Sequence, residues 1–163
     1  MNLNNKRPYT GYDGDSKGKR KGTQKFIDWI VFLNGGRIKN LGSFQIRNMR
    51  GKEKPSVHST GRAIDFGFSN REDGLALIDF LVRNNGALGV ELIVDYYPRP
   101  HGRGWCCDRQ SWRDYTKPTV AGAPYGKWIH VELSPTVADS ADWFDVVFGK
   151  LLEPAYGSKP PKA

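Results

Sequence analysis

Apolar runs long enough to cross a bilayer are missing from this chain. A spanning helix needs about 20 consecutive apolar residues, and no such run occurs in the 163 positions. The first 22 residues, MNLNNKRPYTGYDGDSKGKRKG, hold no apolar segment, so no secretory signal is expected. Cysteine is almost absent: Cys106 and Cys107 are the only two, and they are adjacent. Neighbouring cysteines form only strained disulfides, so no disulfide framework is predicted, which suits synthesis in a reducing compartment. They also lack the C-x-x-C spacing of zinc sites, and are read as packing residues or free thiols. Histidine is equally scarce, at His58, His101 and His130. Acidic residues are outnumbered, 17 against 25 basic, leaving a net charge of +8. That balance favours polyanionic partners: nucleic acid, acidic membranes or anionic wall polymers. No nucleic-acid recognition motif accompanies it, so no specific nucleic acid is expected as partner.

The length suits one domain with one substantial core. Residues 1–22 read as a flexible basic arm, which Tyr9 and Tyr12 can pin in part; 23–152 is the domain; 153–163 is a disordered tail. Helices are predicted over Thr23–Leu33, capped by Thr23, and from Ser69 or Asn70 to the Asn84-Asn85-Gly86 stop. The second has Leu75, Ile78, Leu81 and Val82 as its buried stripe. A last helix is predicted over Thr136–Leu152. Strands are predicted over Leu41–Arg50, Arg62–Phe68, Val90–Tyr97 and Lys127–Ser134. Pro98–Gly126 reads as a long irregular loop, and loops of that length are often functional. The fold class is α+β: a central antiparallel sheet, helices packed on one face, a zinc site on the other.

Two stretches organise the chain. In SVHSTGRAIDFGF, Ser56 to Phe68, His58 and Asp65 are both good zinc ligands. Seven residues of straight strand would hold them about 23 Å apart, so they share a metal only if the chain turns back. Ser59-Thr60-Gly61 supplies small residues for the bend. Beyond it, Ile64, Phe66 and Phe68 share one face, and Ala63, Asp65 and Gly67 the other. In KWIHVELS, Lys127 to Ser134, Ile129, Val131 and Leu133 form the apolar face, opposite Trp128, His130 and Glu132. If the strands pair, His58, Asp65 and His130 meet, with a fourth position open. That is the ligand count of a catalytic rather than a structural zinc centre.

The pattern Ser56-x-His58-x-x-Gly61-x-Ala63-x-Asp65, followed later by Trp-x-His130, resembles the zinc D-alanyl-D-alanine carboxypeptidases and L-alanyl-D-glutamate endopeptidases, which share their fold with hedgehog-type domains. The resemblance covers roughly Phe44 to Ser134. It implies that His58, Asp65 and His130 bind zinc, that the substrate is bacterial peptidoglycan, and that the protein is a metallopeptidase. With no signal expected, a phage endolysin or virion-associated enzyme acting on the cell wall after release fits best, as a monomer. An arginine before the motif contacts substrate or the developing oxyanion in that family; Arg47 is the first choice here and Arg50 the second.

This chain departs from the family at the general base. Several branches carry a carboxylate three residues before the last histidine, where this chain has Lys127; another carries a histidine two before, where it has Trp128. Glu132 is therefore the first candidate, with Asp114, His101 and Asp95 as alternatives. Two rival readings follow: a non-catalytic zinc-containing wall-binding protein on the same fold, and a basic nucleic-acid-binding protein.

Overall fold

Alternating apolar residues decide which segments enter the sheet. In the computed structural model, which describes residues 6–118 and 122–153, β2 (Ala63–Phe68) and β6 (Trp128–Leu133) run antiparallel at its centre. Ile64, Phe66, Ile129, Val131 and Leu133 are all fully buried on one face. Among the described residues the sheet has six antiparallel strands, ordered β1-β2-β6-β3-β4-β5, with β1 (Ile38–Gly42), β3 (Val90–Asp95), β4 (Arg103–Cys106) and β5 (Ser111–Asp114). The fold is α+β, as expected.

Three helices cover the apolar face: α1 (Lys21–Leu33), α2 (Arg71–Arg83) and, after the short α3 (Asn85–Leu88) and α4 (Pro135–Ala138), α5 (Ala141–Leu152). Trp29 of α1 stacks on Phe148 of α5 at 5.1 Å, and its indole nitrogen donates to Asp145 at 2.8 Å. No helix among the described residues is long and apolar enough to cross a membrane.

Several boundaries differ from expectation, each for a local reason. Helix α1 begins at Lys21, so Thr23 is buried within it rather than capping it. Gly22 permits the earlier start: a Cβ there would lie 2.1 Å from the Val137 carbonyl oxygen of α4. The strand expected over Leu41–Arg50 lies earlier, because Ile38 takes the core position opposite Phe68. After Gly42 the chain leaves the sheet, and Ile46 is 63% exposed. In α2 the buried face is Gly74, Leu77, Ile78 and Leu81, whereas Leu75 is exposed. Gly74 sets that face by lying against the Phe68 ring, where a Cβ would come within 2.7 Å. The final helix is two, because the Ser140 side chain caps a new start by accepting from the Trp143 amide at 3.3 Å.

Strand β3 carries a register shift between Val90 and Leu92, with Glu91 as the extra residue. The segment read as an irregular loop contains the β4–β5 hairpin, which extends the sheet. Before α1, the described part of the segment read as a flexible arm, from residue 6 on, lies against the sheet. Arg7 donates to Asn85, Thr10 to Glu91, and the buried Arg62 to Gly11 and Asp13. The tail expected over 153–163 lies outside the described residues apart from Glu153.

Candidate metal centre

His58 reaches the site through a single 3-10 turn, Val57–Thr60. The Ser56 hydroxyl accepts from the His58 amide at 3.3 Å and starts the turn. Gly61, at φ +72°, ends it in the left-handed region that favours glycine. The chain then enters β2, where Asp65 lies directly opposite His130 of β6. The bend and the strand pairing expected from the sequence are both present.

Three side chains converge. His130 Nδ1 is 2.9 Å from Asp65 Oδ1, and His58 Nε2 is 3.3 Å from the same oxygen. The imidazole rings meet edge-on, with centroids 4.9 Å apart. One ligand atom from each residue lies within 4.8 Å of the other two, so the cluster can hold a metal ion. Ligands at about 2.1 Å around a tetrahedral zinc sit roughly 3.4 Å apart, a spacing that the 2.9 and 3.3 Å from Asp65 Oδ1 to the two imidazoles approach.

The outer ring nitrogens are held as well. His58 Nδ1 lies 3.0 Å from the Ser43 carbonyl oxygen, which can only accept, so Nδ1 carries a proton and Nε2 is turned to the cluster, where it can donate to Asp65 or, without that proton, offer its lone pair to an ion. His130 is held the other way round. Its Nε2 faces Glu132 Oε1 at 2.9 Å, leaving Nδ1 to point at Asp65. Burial alone would raise the Asp65 pKa, but hydrogen bonds from His130 and His58 outweigh it and hold the carboxyl well below the usual range. Burial alone would lower the His130 pKa; its hydrogen bonds to Asp65 and Glu132 reverse this and bring it to about 9. The pocket thus favours a cation, supplied by shared protons when no metal is bound.

The remaining candidates are placed differently. Glu132 is 4% exposed and both its oxygens are engaged, Oε1 by His130 and Oε2 by the Tyr9 hydroxyl at 2.7 Å. It orients His130. Asp114 is exposed on β5, three strands from β6, or about 14 Å at the usual strand spacing. His101 lies in the turn before β4 and is not among the grouped ligands. Asp95 is fully buried on the Ile129 side of the sheet, bound by Arg71 at 2.8 and 2.6 Å and by Arg103 at 3.1 Å. Arg47 is half-buried in the loop ahead of His58, its guanidinium donating to Gln45 Oε1 and the Asn48 carbonyl. Arg50 is exposed.

The sequence reading missed three contributors. Ser43 acts through its carbonyl, which no side-chain pattern can reveal. Tyr96 stacks on Trp128 with ring centroids 3.8 Å apart, and Trp128 shares the His130 face of β6. Burial first, then the Asp65 charge, raises the Tyr96 phenol pKa, so a neutral aromatic wall stands beside the cluster. Tyr9 is the third. The side chain of Lys127 lines a shallow depression with Arg37, Lys39, Leu41, Gly67, Phe68 and Ser69.

Comparison of the chain with models of protein families, with curated proteins and with solved structures finds no match, so the functional reading rests on the site itself.

Proposed function

We propose that the protein is a zinc-dependent peptidase that hydrolyses a peptide bond in bacterial peptidoglycan stem peptides or cross-links, acting as a phage lysin. One observation supports this above the others: His58 Nε2, His130 Nδ1 and the Asp65 carboxylate converge, while the outer nitrogens of both rings are tied to Ser43 and Glu132. Two imidazoles and one carboxylate suit zinc, with a position left over for water. When bound, the ion would supply a water whose pKa falls from 15.7 to about 7, and would polarise the scissile carbonyl.

The chain's own residues do the rest. Ser43 and Glu132 fix the two imidazole planes, and Asp65 contributes the negative charge. Trp128 and Tyr96 wall the site with aromatic surface. Arg47 suits a substrate carboxylate or a developing oxyanion, because a guanidinium stays charged and donates in a fixed plane. Glu132 takes a proton only by giving up its hydrogen bond to His130 or Tyr9, so any role as base requires that rearrangement.

A second reading is a zinc-containing wall-binding protein without turnover. It is favoured by the engagement of both Glu132 oxygens and by the sequence position of Lys127, a cation where several branches of the resembled family carry a base. The two readings separate in one assay. Zinc-loaded protein is incubated with purified peptidoglycan, and released amino groups and bound protein are both measured. Amine release supports the peptidase; sedimentation with the wall and no release supports the binder.

A further inference from the structure

The proposed zinc centre has a contributor outside its two motifs. We propose that the N-terminal strap, residues 7–13, is a working part of that centre, with Tyr9 as the positioning residue that fixes His130 through Glu132. This inference rests on the metal-binding reading of His58, Asp65 and His130.

The strap is tied down on both sides of Tyr9. Ahead of it, the Arg7 guanidinium donates to Asn85 Oδ1 at 2.9 Å and the Arg7 amide donates to the Cys107 carbonyl at 3.2 Å. Behind it, Thr10 gives its hydroxyl and amide to Glu91 at 2.8 and 3.2 Å. Arg62, with no exposed surface, donates to the Gly11 carbonyl and to Asp13 Oδ1. These anchors lie at three neighbouring strands: Arg62 leads into β2, Glu91 is the register-shift residue of β3, and Glu132 lies on β6. Two of those strands carry Asp65 and His130.

Between the anchors, the Tyr9 hydroxyl donates to Glu132 Oε2 at 2.7 Å. A buried carboxylate needs partners for both oxygens, and here His130 supplies one and Tyr9 the other. Two hydrogen bonds at opposite oxygens fix the carboxylate plane, and that plane sets the direction from which His130 Nε2 is held. The relay runs from Tyr9 through Glu132 and His130 to Asp65 in three hydrogen bonds of 2.7, 2.9 and 2.9 Å. Gly11 completes the arrangement. Its φ is +66°, and a Cβ would come within 3.2 Å of the Tyr9 ring, so a side chain there would displace the phenol.

A strap that only held the fold together would need no hydroxyl aimed at Glu132, and zinc affinity separates the two roles. The dissociation constant is measured for the full chain by competition with a chromophoric chelator, with the cobalt(II) absorption spectrum as a second readout. Partners of ligating histidines typically contribute 10–100-fold to metal affinity. Tyr9 stands one hydrogen bond further out, so Tyr9→Phe is expected to weaken zinc by roughly 3–10-fold. The thermal midpoint of the metal-free protein should fall by only a few degrees, because Glu132 Oε2 loses its partner while the ring is kept. In a Glu132→Ala background the same change should have no effect, since the relay is already cut. Trp29→Phe, which removes the bond from α1 to Asp145 of α5 away from the strap, should lower the midpoint and leave zinc affinity unchanged.

Unchanged zinc affinity in Tyr9→Phe would overturn the proposal. So would an equal loss with and without Glu132. Failure of the unaltered protein to bind zinc would overturn the metal reading and this inference with it.

Discussion

His130 Nδ1 lies 2.9 Å from Asp65 Oδ1, and the two residues face each other across the β2–β6 ladder. A one-residue slip in that register would send one of them to the opposite face. The apolar sides of both strands, buried against the helices, forbid the slip. Packing on one side of the sheet thereby sets the geometry of the cluster on the other.

His58→Ala, Asp65→Asn and His130→Ala are each expected to lower zinc retention at least tenfold, read as metal content after dialysis of folded protein. Asp65→Asn is the sharpest of the three, because it keeps the shape and removes the charge. Full zinc content in any folded variant would remove that residue from the ligand set.

Asp95 is expected to serve stability alone. Its fully buried carboxylate holds Arg71 and Arg103. Breaking a buried pair costs about 3–5 kcal/mol; with both arginines partly exposed, Asp95→Ala should cost about 3 kcal/mol in chemical denaturation. Zinc content should stay unchanged. Zinc lost at full stability would instead move Asp95 into the site.

Cys107 is expected to be inert in the folded protein. Burial pushes its thiol up to about 12, from 9.0, and it has no exposed surface. A disulfide reagent at pH 8 should find no reactive thiol until the protein is unfolded, when both should react. The raised value also fixes a sign. Between pH 9 and 12 the unfolded chain gives up the thiol proton and the folded one keeps it, so this group's contribution to stability falls as pH rises through that window. Fast native labelling would contradict the burial.

Attachment to the wall is expected to be electrostatic in part. The net charge of +8 and the depression bearing Arg37, Lys39 and Lys127 both favour anionic polymers. Binding to purified walls should weaken as salt rises from 0.05 to about 0.5 M, where screening shortens to a few ångströms. Binding indifferent to salt would count against it.

Much of the centre was legible because it lies on regular alternation. Ile64, Phe66, Ile129 and Val131 announce two half-buried strands, and their spacing puts Asp65 and His130 on one face. What stayed hidden depends on partners distant in sequence. The β4–β5 hairpin reads RGWC and SWRD, with no apolar period to mark it. Tyr9 and Tyr12 mark the strap as a segment that can be pinned, but its partners Arg62, Glu91 and Glu132 lie far off in sequence and no apolar pattern points to them. Glu132 reads as a base in sequence because it shares the His130 face. An orienting role is the other reading of that position, and the hydrogen bonds to His130 and from Tyr9 favour it.

The most direct test of zinc peptidase activity is mass spectrometry of purified peptidoglycan after incubation with the protein, run as prepared, with chelator, and with zinc restored. New stem-peptide fragments that vanish with chelator and return with zinc are the expected result, and their masses identify the bond. Intact peptidoglycan from several wall types, beside protein carrying a full equivalent of zinc, would contradict it.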